Sequence, residues 1–255
     1  MPPDIIPPAQ ALSDARAEDS NALVLNFLTL RKAVGYIGLA LPFALVAGEN
    51  LRDRLLSDAG RMGVLLESSI SAYFHTGMRE VFVGSLCAIG VFLLAYRGYD
   101  RRDRVLSNIA GVCALLVALF PTFEASREAS DTATRAPDSV TFFSGADAPD
   151  PHVVGYVHFA AAAAFFALLA WISLVQFTKS DTSAPTREKR ERNIIYRLCG
   201  WVILGCIAAI AVAKLLLDDA AERSSHFVFW FEAIAVVAFG ISWLVKGEAI
   251  AGVND

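Results

Sequence analysis

The sequence predicts an all-α membrane protein, a polytopic bundle of six transmembrane helices with an exported amphipathic helix. Each of six long apolar runs is about as long as a helix needs to cross the ~30 Å hydrocarbon core of a bilayer. The composition agrees, because 55% hydrophobic residues and a mean hydropathy of +0.49 exceed ordinary globular usage. The runs occupy residues 33–49, 80–97, 105–121, 153–177, 194–217 and 227–245.

The loops between the runs alternate in their content of Lys and Arg. Fourteen of these residues lie in the N-terminal segment, the second and fourth loops and the C-terminal tail, whereas seven lie in the other three loops. Basic residues are retained on the cytoplasmic side of a membrane. We therefore expect a multi-pass protein of a bacterial inner (plasma) membrane with both termini in the cytoplasm, which agrees with an even number of spans.

Three regions follow from this topology. Residues 1–30 are predicted to be a cytoplasmic N-terminal tail, residues 31–248 the six-helix transmembrane domain, and residues 249–255 a cytoplasmic C-terminal tail. The start MPPDIIPPAQ lacks the basic and apolar regions of a signal peptide, so we expect no cleaved leader.

The predicted exported amphipathic helix lies within residues 50–79. Leucines such as Leu51, Leu55 and Leu65 recur there at helical spacing, with charged residues between them. This pattern is typical of a helix that lies on the membrane surface or caps a bundle. The next exported loop, residues 122–152, is acidic and rich in small residues, which favours a flexible loop.

The basic segment 178–193 is interpreted as a cytoplasmic linker that contacts anionic lipid headgroups. We expect no nucleic-acid partner. A second cytoplasmic turn contains Asp100 and Asp103 among arginines and is predicted to pair its own charges.

Ionisable residues at membrane depth are costly and therefore mark candidate functional sites. Counting from the exported helix ends places five of them at a similar depth on four helices. The candidate ligand-binding residues are Arg79, Glu80, His158, Lys214 and Glu232.

Three interpretations of this polar layer stay open. It could be a pocket that engages a lipid headgroup or small ligand, or an ion-pair network that ties helix ends together. A third interpretation is a zinc site, for which His75, His158 and His226 with a carboxylate such as Glu232 are the candidate ligands. Zinc-bound water could then hydrolyse a lipid ester or amide. The spacing contains neither HExxH nor HxxxH, so our main expectation is that the protein has no cofactor.

Stripes of small residues predict close helix packing. One comprises Ala110, Ala114 and Ala118, and another comprises Gly205, Ala209 and Ala213. Such stripes favour a compact bundle, and they also suit an accessory subunit of a larger complex with a membrane-protein partner.

Several stretches resemble a known group of membrane proteins. They are YFHTGMREVFVG (73–84), YRGYDRRDR (96–104), FGISWLVKGE (239–248) and the pattern from Asn108 through Phe120 to His158. These stretches resemble uncharacterised bacterial six-helix membrane proteins that are distantly similar to the DRAM-like family. The group implies the six-helix fold and no established reaction. A weaker similarity to alkaline-ceramidase-like zinc hydrolases lacks their seven-helix plan and paired histidine motif.

The function expected from the sequence is therefore an integral inner-membrane protein of unassigned activity. Its exported polar pocket would engage a membrane lipid or small ligand. The alternatives are a zinc-dependent intramembrane lipid hydrolase and an accessory subunit.

Overall fold

The structure, a computed structural model, describes residues 8–56, 64–96, 100–122, 150–179, 186–216, 218 and 225–249. Side chains are described from residue 28 onward, except that of Pro151. These residues are all helical or irregular, and no β-strand occurs among them. The six α-helices are α1 (Pro8–Leu56), α2 (Arg79–Ala95), α3 (Arg101–Leu119), α4 (Pro151–Trp171), α5 (Arg187–Leu216) and α6 (Phe227–Lys246).

Four of the described helical segments are long and apolar enough to cross a membrane. They are Leu28–Leu56, His152–Gln176, Arg187–Leu216 and Phe227–Lys246. The protein is therefore a transmembrane protein. Helix α2 has only 17 residues, and α3 begins with the charged residues Arg101 to Arg104, so neither belongs to these four.

Helix α1 differs from the prediction at both ends. It begins at Pro8 and continues through Pro42 to Leu56, so residues 8–30 belong to the same helix as the first predicted span. Thr29, Gly48 and Asn50 are residue types that often flank a helix, but the helix continues past all three.

The exported amphipathic helix predicted for residues 50–79 does not form in the described residues. Residues 50–56 continue α1, and residues 64–70 have no helical structure. The short 3₁₀ helix Ser71–His75 then leads to α2. Residues 57–63 and the predicted loop residues 123–149 lie outside the described residues. The irregular backbone forms because polar side chains of the bundle, described below, satisfy its hydrogen bonds.

Glycines allow two helix pairs to approach closely. In α6, a Cβ atom added to Gly240 would lie 2.7 Å from the Leu39 nitrogen and 2.8 Å from the Gly35 oxygen of α1. In α3, a Cβ added to Gly111 would lie 2.7 Å from the Gly90 oxygen of α2. Small residues permit such contacts in membranes, where van der Waals packing drives helix association.

Helix ends carry local signals. Asp100 caps α3 by accepting a hydrogen bond from the Asp103 amide at 2.8 Å, and Asp150 caps α4 by accepting one from the His152 amide at 2.8 Å. Helix α4 continues into one π-helical turn, Ile172–Gln176. Such turns occur often at functional sites.

Buried apolar residues fill the bundle from one end to the other. We call the end that contains the start of α2 and the end of α3 the Arg79 end. The opposite end, which contains the start of α3 and the end of α4, is the Asp103 end. The two polar regions of the protein lie at these ends.

Replacement of Gly240 by Ala tests the contact between α1 and α6. The added methyl group meets backbone atoms that cannot rotate away, so we expect the variant to lose about 1–3 kcal/mol of stability. Thermal unfolding in a mild detergent measures the loss. Gly205→Ala is the matched control, because a Cβ at Gly205 meets nothing within 4 Å. Equal unfolding temperatures for the two variants would contradict the close approach.

Candidate functional site

Residues 64–78 comprise irregular backbone and the 3₁₀ helix Ser71–His75. We call them the tethered segment, because their backbone is hydrogen-bonded to the bundle. The Asn50 side chain of α1 donates to the Leu65 carbonyl at 2.9 Å and accepts from the Leu65 amide at 2.8 Å. Glu232 of α6 accepts from the Ile70 amide at 2.7 Å. The Phe229 amide donates to the Ser68 carbonyl at 3.0 Å. These bonds satisfy backbone groups that would otherwise be costly to bury.

His158 joins three elements at the Arg79 end. Its Nδ1 lies 2.6 Å from the Phe120 carbonyl at the end of α3, and its Nε2 lies 3.0 Å from the Ser71 hydroxyl in the 3₁₀ helix. Because a carbonyl only accepts, Nδ1 carries the proton, and in the neutral ring Nε2 accepts from the hydroxyl. The side chain is 2% exposed. Both ring nitrogens are therefore used in structural hydrogen bonds.

The other two histidines of the predicted zinc site have separate partners. His75 donates from Nε2 to the Thr122 carbonyl at 3.2 Å, and His226 donates from Nδ1 to the Glu67 carbonyl at 3.2 Å. No group of three or more His, Cys, Asp or Glu side chains within the described part of the chain is arranged to hold a metal ion. The described residues therefore do not bring His75, His158 and His226 together, and the zinc site and the hydrolase alternative stay a prediction.

Arg79 and Glu80 come together in an open groove of about 330 Å³, which we call the Arg79 groove. The Arg79 guanidinium carbon lies 4.4 Å from the centre of the Phe74 ring, a cation–π contact that holds the charge at the edge of the groove. Below the charged pair, the walls are apolar. The lining residues are Phe74, Arg79, Glu80, Val83, Gly84, Ala118 and Leu119.

The remaining predicted ligand-binding residues do not line this groove. His158 and Glu232 bind the tethered segment, and Lys214 lies exposed on α5 with its ammonium 5.9 Å from the Phe159 ring centre. The five residues thus occupy one end of the bundle, and two of them, Arg79 and Glu80, line the Arg79 groove. Their role in ligand binding stays a prediction.

An ion-pair cluster at the Asp103 end connects two distant parts of the chain. The Lys179 ammonium lies 2.9 Å from an Asp100 oxygen and 2.5 Å from an Asp103 oxygen. Hydrogen bonds from the Asp103 amide and from Lys179 lower the pKa of Asp100, and the hydrogen bonds to Asp103 and Asp100 raise the pKa of Lys179. The two aspartates therefore pair with a lysine from beyond α4, where the sequence predicted pairing within the turn itself.

Buried polar groups surround this cluster. Asp103, Ser107 and Gln176 are each at most 2% exposed, and the Gln176 amide lies 3.4 Å from the Asp103 carbonyl. One oxygen of each of these three side chains has no hydrogen-bond partner among the described residues. The sequence pattern pointed to Asp100 and Asp103 but not to the buried Ser107 and Gln176. The i,i+4 spacing of Asp103 and Ser107 could have indicated a polar face on α3.

Comparisons with known proteins found nothing similar: no protein-family model matches the chain, and neither a curated protein nor a solved structure matches it significantly. The resemblance to DRAM-like proteins stays a prediction.

Replacement of Glu232 by Leu tests the tethered segment. The variant leaves the Ile70 amide without its acceptor, which costs about 1–3 kcal/mol when the group is buried. Hydrogen exchange of residues 68–72 should become at least several-fold faster. Glu232→Gln retains an acceptor oxygen of the same reach and should exchange nearly as slowly as the original protein. Unchanged exchange in Glu232→Leu would show that this bond does not hold the segment.

Proposed function

We propose that this chain is a six-span protein of a bacterial inner membrane and binds a membrane phospholipid in the Arg79 groove. In this proposal both termini are cytoplasmic, the Asp103 end faces the cytoplasm and the Arg79 end faces the exported side. The distribution of Lys and Arg among the loops supports this orientation.

The lengths of α2 and α3 support two further spans. At 1.5 Å per residue, their 17 and 19 residues extend over about 26–29 Å, close to the thickness of the hydrocarbon core. The close contact of Gly90 with Gly111 packs them against each other along their length. Their charged residues lie in the first turns, where side chains reach the membrane interface.

The observation that carries the lipid proposal is the arrangement of the groove along α2. Arg79 and Val83, like Glu80 and Gly84, are four residues apart and therefore lie above one another on the helix. A Cβ added to Gly84 would meet nothing within 4 Å. A charged rim thus lies one helical turn above an open apolar channel, which suits the junction between a lipid headgroup and its acyl chain.

The charges at the rim favour a particular headgroup. The Arg79 guanidinium offers several donors to a phosphate, and the amino-terminal end of α2 also attracts an anion. The Glu80 side chain is exposed and can accept from an ammonium group. A zwitterionic phosphoethanolamine headgroup carries both complementary charges. The proposed ligand is therefore phosphatidylethanolamine, with an acyl chain beside Gly84.

A photoactivatable phosphatidylethanolamine in lipid nanodiscs tests this proposal. We expect it to crosslink to residues 79–84 or 118–119 of the original protein, as mapped by mass spectrometry. Gly84→Leu fills the channel and Arg79→Gln removes the phosphate contact, so each should reduce crosslinking at these residues at least threefold.

Gly205→Leu is the control for the first variant, because Gly205 is an equally open glycine on α5. It should leave the crosslinking unchanged. Equal labelling of all variants, or equal competition by phosphatidylcholine and phosphatidylethanolamine, would contradict a headgroup-specific groove.

Single cysteines test the proposed orientation. In a variant without the four natural cysteines, Cys at position 135 should react with a membrane-impermeant maleimide in intact cells. Cys at position 253 should react only after the membrane is opened, because we place the C-terminus in the cytoplasm. The opposite pattern would reverse the topology, and labelling of both positions in intact cells would contradict the three spans that we place between them.

A further inference from the structure

A cluster of buried aromatic side chains lies at the Asp103 end. The Trp243 ring centre lies 5.2 Å from that of Tyr96 and 5.3 Å from that of Phe177. Phe177 in turn lies 5.4 Å from Tyr196. These four residues, at most 2% exposed, are contributed by the ends of α2, α4 and α6 and by α5. We call them the aromatic platform.

Cations from three helices lie against this platform. Arg31 of α1 is 5.5 Å from the Tyr96 ring centre, Lys189 of α5 is 6.0 Å from that of Tyr196, and Lys246 of α6 is 5.5 Å from that of Phe177. Close packing of Gly247 on Arg31 and Lys32 brings the end of α6 against α1. The tertiary structure thus gathers positive charges that are far apart in the sequence.

These cations repel one another. Arg31, Lys189 and Arg192 all act on Lys246 with like charge, while Glu248 attracts it. Lys189 also donates to the Phe177 carbonyl at 3.0 Å, which holds its ammonium at the edge of the platform. Contacts with aromatic faces are worth about 0.5–2 kcal/mol each and hold the cations at the platform, where their like charges would favour a bound anion.

Two buried donors beside Tyr96 have no acceptor among the described residues. Within the described residues, neither Arg31 Nε nor Trp243 Nε1 has a hydrogen-bond partner, and Trp243 is 1% exposed. Both side chains contact Tyr96. Buried donors without partners are rare in proteins, and a bound ion or water is a common explanation. Unsatisfied donors beside converging cations call for an anion with oxygen acceptors.

We propose that Arg31, Lys189 and Lys246 form a binding site for a phosphate group, separate from the Arg79 groove. Arginine and lysine together offer a phosphate both directional hydrogen bonds and point charges. Basic pockets between membrane helices bind anionic headgroups at the cytoplasmic surface. The phosphate belongs either to an anionic lipid such as phosphatidylglycerol or to a free phosphate ion.

Titration of the full-length protein in neutral detergent distinguishes these sources. The probes are phosphatidylglycerol, phosphatidylcholine and inorganic phosphate, and the readouts are the unfolding temperature and the bound mass in native mass spectrometry. A ligand that binds the folded state raises the unfolding temperature. We expect phosphatidylglycerol to raise it by several degrees and phosphatidylcholine to have no such effect. A matching response to inorganic phosphate alone would identify the free ion as the ligand.

Variants of the basic residues test whether the rise in unfolding temperature comes from binding at this site. Arg31→Gln and Lys246→Gln should each reduce it at least by half, whereas Lys246→Arg keeps the charge and should retain it. Arg187→Gln is the control, because Arg187 is basic, belongs to α5 and has an 88% exposed side chain outside the cluster. If one glutamine variant fails to fold, the other still tests the site. Equal responses of all variants, or no response to phosphatidylglycerol or phosphate, would overturn the proposal.

Discussion

The hydrogen bonds of His158 are the constraint on which the Arg79 end depends. This one ring bonds to the carbonyl at the end of α3 and to the hydroxyl of Ser71, and it is itself carried by the start of α4. A buried imidazole with two satisfied nitrogens has one favourable orientation. It therefore fixes the position of the 3₁₀ helix relative to two long helices. The start of α2, and with it the Arg79 groove, follows directly from this position.

The same requirement explains the other polar contacts of the tethered segment. Non-helical backbone next to a membrane needs internal partners for its amides and carbonyls. Asn50 and Glu232 supply them from α1 and α6. Polar residues that the sequence marks as candidate ligands thus act as backbone tethers, and the groove is left with Arg79 and Glu80. Within one polar layer, His158 and Glu232 therefore hold the tethered segment, whereas Arg79 and Glu80 line the proposed ligand-binding groove.

The polar groups at the two ends of the bundle have different kinds of partner. At the Arg79 end, the tethers are mostly neutral hydrogen bonds to backbone. At the Asp103 end, Lys179 neutralises Asp100 and Asp103, whereas Arg31, Lys189 and Lys246 converge on aromatic faces. Aromatic rings attract cations through their π faces. The proposed phosphate ligand would bind where these cations converge.

The sequence by itself determined the all-helical class, the membrane character and the positions of most helices, because long apolar runs are a local property of the chain. It also placed the candidate ligand-binding residues at one end of the bundle, because the depth of a residue in a helix follows from the number of residues that separate it from the helix end. It could not determine the length of α1, because the helix continues past residues, such as Thr29 and Asn50, that often flank a helix. Nor could it determine which polar groups bond to one another. The bond between Glu232 and Ile70 joins residues 162 positions apart, and the pair Lys179–Asp103 joins residues 76 positions apart. Only the packing of helices decided these pairs, because a polar side chain bonds to whichever group the tertiary structure brings within about 3 Å.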